Sequence, residues 1–103
     1  MGEDLATLVE DFIGSTEGML AALADGPQRE DIKLVTRHAH TLKSSAAMVG
    51  AMQLSAQARE LEAEGKAGDL SRLDQALAGL RAEFDRVHCA LDAANNMAQV
   101  ADV

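Results

Sequence analysis

The stretch HAHTLKSSAAMVGA, positions 38–51, sets two histidines and a lysine close together in an otherwise small-residue segment. A neutral imidazole can attack phosphorus through one ring nitrogen if the other keeps its proton and is held in place. Lys43 follows His40 by one helical turn, where its ammonium could offset charge on phosphoryl oxygens. Ser44 and Ala47 adjoin His40 on the same face and are both small, so the ring stands clear of its surroundings for a large partner. The plain alternative for His40 and Lys43 is a solvent-facing pair with no chemistry. As a metal site the H-x-H pattern is poor. Residues two apart on a helix do not share a face, and no Cys pair or further His supplies ligands, so no metal is expected. His38 and His88 read as imidazoles at a core margin, packing the ring and bonding a neighbour or water.

These residues need helices to position them. Leu5, Leu8, Val9, Phe12, Ile13, Met19, Leu20 and Leu23 fall on one stripe, which stops at Asp25-Gly26-Pro27. Ile32, Val35, Ala39, Leu42, Ala46 and Val49 then repeat at alternating steps of three and four, and Gly50 ends that helix. On a wheel advancing roughly 100° per residue, His38 lies within roughly 70° of the seam's centre and His40 roughly 130° away, facing outward. A shorter helix follows on Leu54, Ala58 and Leu61, with Gly65 and Gly68 as breakers and Asp69 or Ser71 as the next cap. Leu70, Leu73, Leu77, Leu80, Phe84, Val87 and Leu91 carry the last helix. The expected fold is all-α, an up-and-down antiparallel four-helix bundle forming one domain over 1–96, with 97–103 a frayed tail.

Composition agrees and narrows the partners. The chain has 103 residues, 48% of them hydrophobic, with two Phe, no Trp and no Tyr, so helix formers make its core. A net charge of −8 argues against nucleic acid and against adsorption to anionic membranes. No apolar run has spanning length, and the opening MGEDLATLVE lacks the basic-then-apolar order of a secretory leader. The one cysteine, Cys89, suits a reducing compartment. The expectation is a cytoplasmic monomer. There is no Gly-rich nucleotide loop, so no use of ATP by the chain itself is expected.

The segment HTLKSSAAMVGAMQLSAQARELE, His40 to Glu62, resembles the histidine-containing phosphotransfer (HPt) domains of two-component phosphorelays. His40, Leu42, Lys43, Ser45, Gly50, Leu54, Leu61 and Glu62 are the matching residues. The resemblance implies that His40 is the phosphoacceptor, that Lys43 contacts the phosphoryl group, and that Glu62 bonds the distal ring nitrogen and fixes the tautomer. It also implies receiver domains of response regulators, or a hybrid sensor histidine kinase, as partners. It implies no cofactor of the chain's own, since Mg²⁺ belongs to the receiver. By the same likeness this is a carrier and not an enzyme. A docking patch around His40 would draw on Ala47, Met48 and Ala51, fringed by Lys33, Arg37 and Lys43, with Arg37 the foremost of these. Ser44 departs from the family, which usually has Gly there; a slightly altered partner fit is expected. Three other readings remain: a kinase-substrate domain of a chemotaxis-type histidine kinase, a receiver-binding adaptor that carries no phosphate, and a metal-binding or purely structural bundle.

Overall fold

The computed structural model describes residues 5–25 and 30–101. The described residues form four α-helices: α1 (Leu5–Asp25), α2 (Ile32–Met48), α3 (Met52–Lys66) and α4 (Leu73–Ala101). Each packs on its neighbours in sequence, and α1 closes the ring against α4. This is the expected all-α four-helix bundle.

The apolar stripes face inward as their spacing requires. Val35, Ala39, Leu42 and Ala46 of α2 and Leu54, Ala58 and Leu61 of α3 are buried, and Leu73, Leu77, Leu80, Phe84 and Val87 line the α4 side. Phe84 is fully buried and meets Phe12 of α1 edge-on, with ring centroids 6.1 Å apart. Burying side chains of this size contributes about 1.5–3 kcal/mol each. Outside the core, Arg81 of α4 donates to Glu17 of α1 at 2.8 Å and ties the same two helices.

Helix ends are set by short polar and glycine signals. Asp31 caps α2, its carboxylate accepting from the backbone N–H groups of Lys33 and Leu34 at 3.1 and 3.2 Å. Such a cap contributes about 1 kcal/mol. At the other end Gly50 takes φ +81°. The Ala51 N–H bonds the Ala46 carbonyl and the Gly50 N–H bonds that of Ala47, which is the Schellman pattern. Gly68 (φ +76°) repeats it after α3, with Asp69 N–H on Glu64 and Gly68 N–H on Gly65.

Four expectations change. Gly65 is no breaker: it lies inside α3 and is buried. A Cβ there would run into Thr36 Oγ1 and stand 3.1 Å from Thr36 Cβ, so glycine is present for close approach to α2. The last helix starts at Leu73, and Leu70 reaches the core from the turn, where Ser71 bonds the Asp69 carboxylate through both its N–H and its hydroxyl. Leu8 is 40% exposed because the α1 stripe turns out of the core near its start. Residues 97–101, expected to fray, belong to α4. Gly26 and Pro27, expected to stop α1, lie outside the described residues, as do residues 102–103 and the side chain of Leu5.

The α2–α3 contact is the closest in the bundle and is lined by small residues. Ser55, Ala58 and Gly65 of α3 face α2, and the Ser55 hydroxyl donates to the Lys43 carbonyl at 2.8 Å. Gly65→Ala is therefore expected to destabilise the fold by about 1–3 kcal/mol through overpacking. Urea denaturation checks this, and Thr36→Ala in the same chain should recover part of the loss by removing the hydroxyl the new methyl meets.

Candidate functional site

Contacts between α2 and α3 run in antiparallel order: Ser55 with Lys43, Glu62 with His40, Gly65 with Thr36. That register carries Glu62 beneath the outward face of α2. His40 stands exposed on that face, its side chain 62% accessible, while the Glu62 side chain is only 6% accessible. His40 Nδ1 lies 2.8 Å from Glu62 Oε2. A carboxylate can only accept here, so Nδ1 carries the proton and Nε2 keeps the free lone pair. Lys43 Nζ donates to the other oxygen, Oε1, at 2.7 Å. Lys66, one turn beyond Glu62 on α3, brings Nζ to 3.4 Å from Oε2.

The electrostatics follow from this geometry. Glu62 has its pKa lowered to about 2 from 4.5, first by the Lys43 hydrogen bond and next by the His40 bond, with the charge of Lys66 a smaller cause. Glu62 is thus an anion at any physiological pH, and its oxygens are fully engaged. An imidazole so held presents one oriented nitrogen to solvent and has a fixed negative charge behind it, which favours development of positive charge on the ring.

The other histidines are placed as expected. His38 sits half-buried at the core margin, its pKa lowered by burial and then by the charge of Arg37. His88 is half-buried, its ring centroid 5.7 Å from that of Phe84 and its Nε2 3.4 Å from Asp92. Among the described residues, no group of three or more His, Cys, Asp or Glu side chains could hold a metal ion.

The remaining candidate residues gather around His40. Arg37, Ser44, Ala47 and Met48 are all exposed on α2, as is Lys33, and Met48 is 78% accessible. Ala51 does not join them. It follows the turn at Gly50, packs against the core and precedes α3. Glu60 is exposed and Glu64 half-buried, and both line a recess against α4 with Gln57 and Arg72. Two features escaped the sequence reading. Lys66 joins the Glu62 cluster, and the i,i+4 Glu-to-Lys spacing was the signal for it. The start of α1 adds Leu8 and Phe12 to an apolar recess of about 270 Å³ that Met48 and Val49 complete. Nothing in the stripe of α1 indicated that its first turns would lie beside Met48.

The site is thus an exposed imidazole oriented by a buried carboxylate on the face of a helical bundle. The Hpt domain family model matches residues 7–90, and the chain belongs to the Hpt domain family. Its role is in phosphotransfer within two-component systems, and its class of partner is the receiver or kinase of such a system. No curated protein and no solved structure matches the chain significantly. Among the described residues, no helix is long and apolar enough to cross a membrane.

The depressed Glu62 pKa predicts a pH signature. A carboxylate whose pKa falls on folding adds stability that is complete above its ordinary value of 4.5 and is lost as pH drops toward about 2. Glu62→Gln removes that contribution. Denaturant titrations should show the wild type losing stability more steeply than the variant across this interval, with the gap between them narrowing toward the acid end. Parallel curves for the two proteins would contradict the assignment.

Proposed function

We propose that the chain is a phosphorelay carrier that takes a phosphoryl group from a receiver-domain aspartate onto Nε2 of His40 and yields it to a second receiver. The observation that carries this reading is the pairing of an exposed Nε2 with an Nδ1 fixed on a buried carboxylate. In the transfer, the Nε2 lone pair attacks phosphorus in line while the aspartyl P–O bond breaks and its electron pair leaves with the aspartate. Nδ1 keeps its proton, so the ring becomes cationic, and Glu62 stabilises that charge. Lys43, on the same face, is the cation for the phosphoryl oxygens. Reversal of these steps discharges the ring.

Mg²⁺ and the acidic pocket belong to the receiver in this reading, and the carrier itself needs no cofactor and has no turnover of its own. The chain acts as a monomer in the cytoplasm. Docking uses the exposed α2 face, with Ala47 and Met48, joined by Leu8 from α1, as its apolar centre and Arg37 and Lys33 as its basic fringe. On a chain of net charge −8, that fringe suits an acidic receiver pocket. Ser44, where the family usually has Gly, adds one hydroxyl beside the ring and tunes the fit.

A second reading has a specific observation in its favour. Glu62 is a carboxylate, which suits the kinase-substrate domain of a chemotaxis-type histidine kinase, where an ATP-charged kinase domain is the donor. The decisive experiment is label transfer from a ³²P-loaded receiver and, separately, from a kinase domain with ATP, comparing wild type with His40→Gln. Transfer from the receiver to wild type alone, with the label lost in acid and kept in alkali, is the expected result. Labelling only by the kinase favours the second reading, and equal label on both proteins removes His40 from the chemistry. For docking, Met48→Glu places a charge in the apolar centre and should raise the KM for the phospho-receiver about tenfold, with little change at saturation.

A further inference from the structure

Lys66 has no part in the chemistry above. It lies in the last turn of α3, where a cation is favourable against the helix dipole, and its side chain is 68% exposed. A lysine there has every reason to extend into water. This one turns back, and its Nζ approaches Oε2 of Glu62, the same oxygen that meets the His40 ring, at 3.4 Å. The buried carboxylate therefore has a near cation, Lys43 at 2.7 Å on Oε1, and a more distant one on the opposite oxygen.

Two demands fall on Lys43 during transfer. Beforehand it neutralises Glu62, which is almost sealed from water. As the phosphoryl group settles on Nε2, its oxygens draw the same ammonium outward. The ring becomes cationic at that moment and needs Glu62 to remain an anion in place. Until that ring charge has developed, a buried carboxylate whose nearest cation has turned away carries a desolvation cost that slows the step. We propose that Lys66 is a standby cation that closes onto Glu62 as Lys43 turns to the phosphoryl oxygens, keeping the carboxylate charged and seated throughout the transfer. Lys66 is a positioning residue in this role: it acts on the imidazole through Glu62. The inference rests on the reading of His40 as phosphoacceptor.

The test uses phosphoramidate as a small donor, so that no partner protein enters. Nε2 attacks its phosphorus, the donor's P–N bond breaks, and ammonia leaves. Formation of phosphohistidine is followed by ³¹P NMR on wild type, Lys43→Met, Lys66→Met, the double variant and Lys66→Arg. All five proteins are compared at one pH of about 8.5, two units above an ordinary imidazole. The Glu62 carboxyl is titrated by ¹³C NMR in the same unphosphorylated proteins. Lys66→Met should charge about two- to fivefold more slowly, the range expected when a partly exposed ion pair is lost, and Lys66→Arg should recover most of the rate. Glu62 should still titrate low in Lys43→Met and rise sharply only in the double variant.

Lys66→Met charging at the wild-type rate overturns the proposal, as does an equal slowing in Lys66→Arg, which would mark a packing role. Identical Glu62 titration in Lys43→Met and the double variant overturns it as well. Wild type that takes no phosphoryl group at His40 overturns the handover together with the carrier reading. Wild type that charges normally beside an unaffected Lys66→Met overturns the handover alone.

Discussion

Everything at the site hangs on one carboxylate held where water scarcely reaches it. Glu62 is an acid on a helix face that otherwise carries serine, alanine and glycine, and burial of such a group is tolerated only when its lone pairs are filled. His40 and Lys43 fill them at 2.8 and 2.7 Å. The dependence is mutual. Without the imidazole and the ammonium the anion would be stranded, and without the anion both α2 side chains would sample solvent freely. The ring is oriented by the same interaction that makes the buried charge acceptable.

That interaction requires α2 and α3 to approach closely, and the helices are built for it. Gly65 has no side chain where Thr36 passes, Ala58 has little, and Ser55 spans the gap to the Lys43 carbonyl. Larger residues on this stripe would move Glu62 away from the imidazole. A displacement of 1 Å at a reacting group costs far more in rate than in stability. The rest of the bundle, with Phe12 against Phe84 and Arg81 on Glu17, supports the pair from behind and contributes stability without touching the chemistry.

The bundle was legible in the sequence because the stripes of α2, α3 and α4 are long, apolar and interrupted by recognisable breaks. Which histidine faces out was legible too, since helical phase separates His38 from His40 whatever the packing. The role expected of Glu62 came from likeness to a family, although helical phase held a clue: Glu62 shares a face with Ser55, Ala58 and Gly65, while Glu60 and Glu64 do not. What periodicity could not give was the depth of that face. A glycine reads as a breaker until the neighbouring helix is known to press on it, which is why Gly65 was misplaced. The exposure of Leu8 beside Met48 belongs to the same class, because it depends on where α1 leaves its neighbours. Lys66 is a different case: its i,i+4 spacing from Glu62 allowed the contact, but spacing alone does not say whether a terminal lysine reaches into water or back toward the carboxylate.

The turn between α2 and α3 is short, and Gly50 closes it with two backbone hydrogen bonds. His40 and Glu62 are therefore joined by a small loop, and bringing them together costs little chain entropy. Helices joined in this way pair early when a chain folds, since local contacts form ahead of distant ones. The exposed imidazole and its anion therefore sit on one local α2–α3 hairpin. The register of the two halves of the site is set by contacts between α2 and α3 themselves and not by those of α1 or α4.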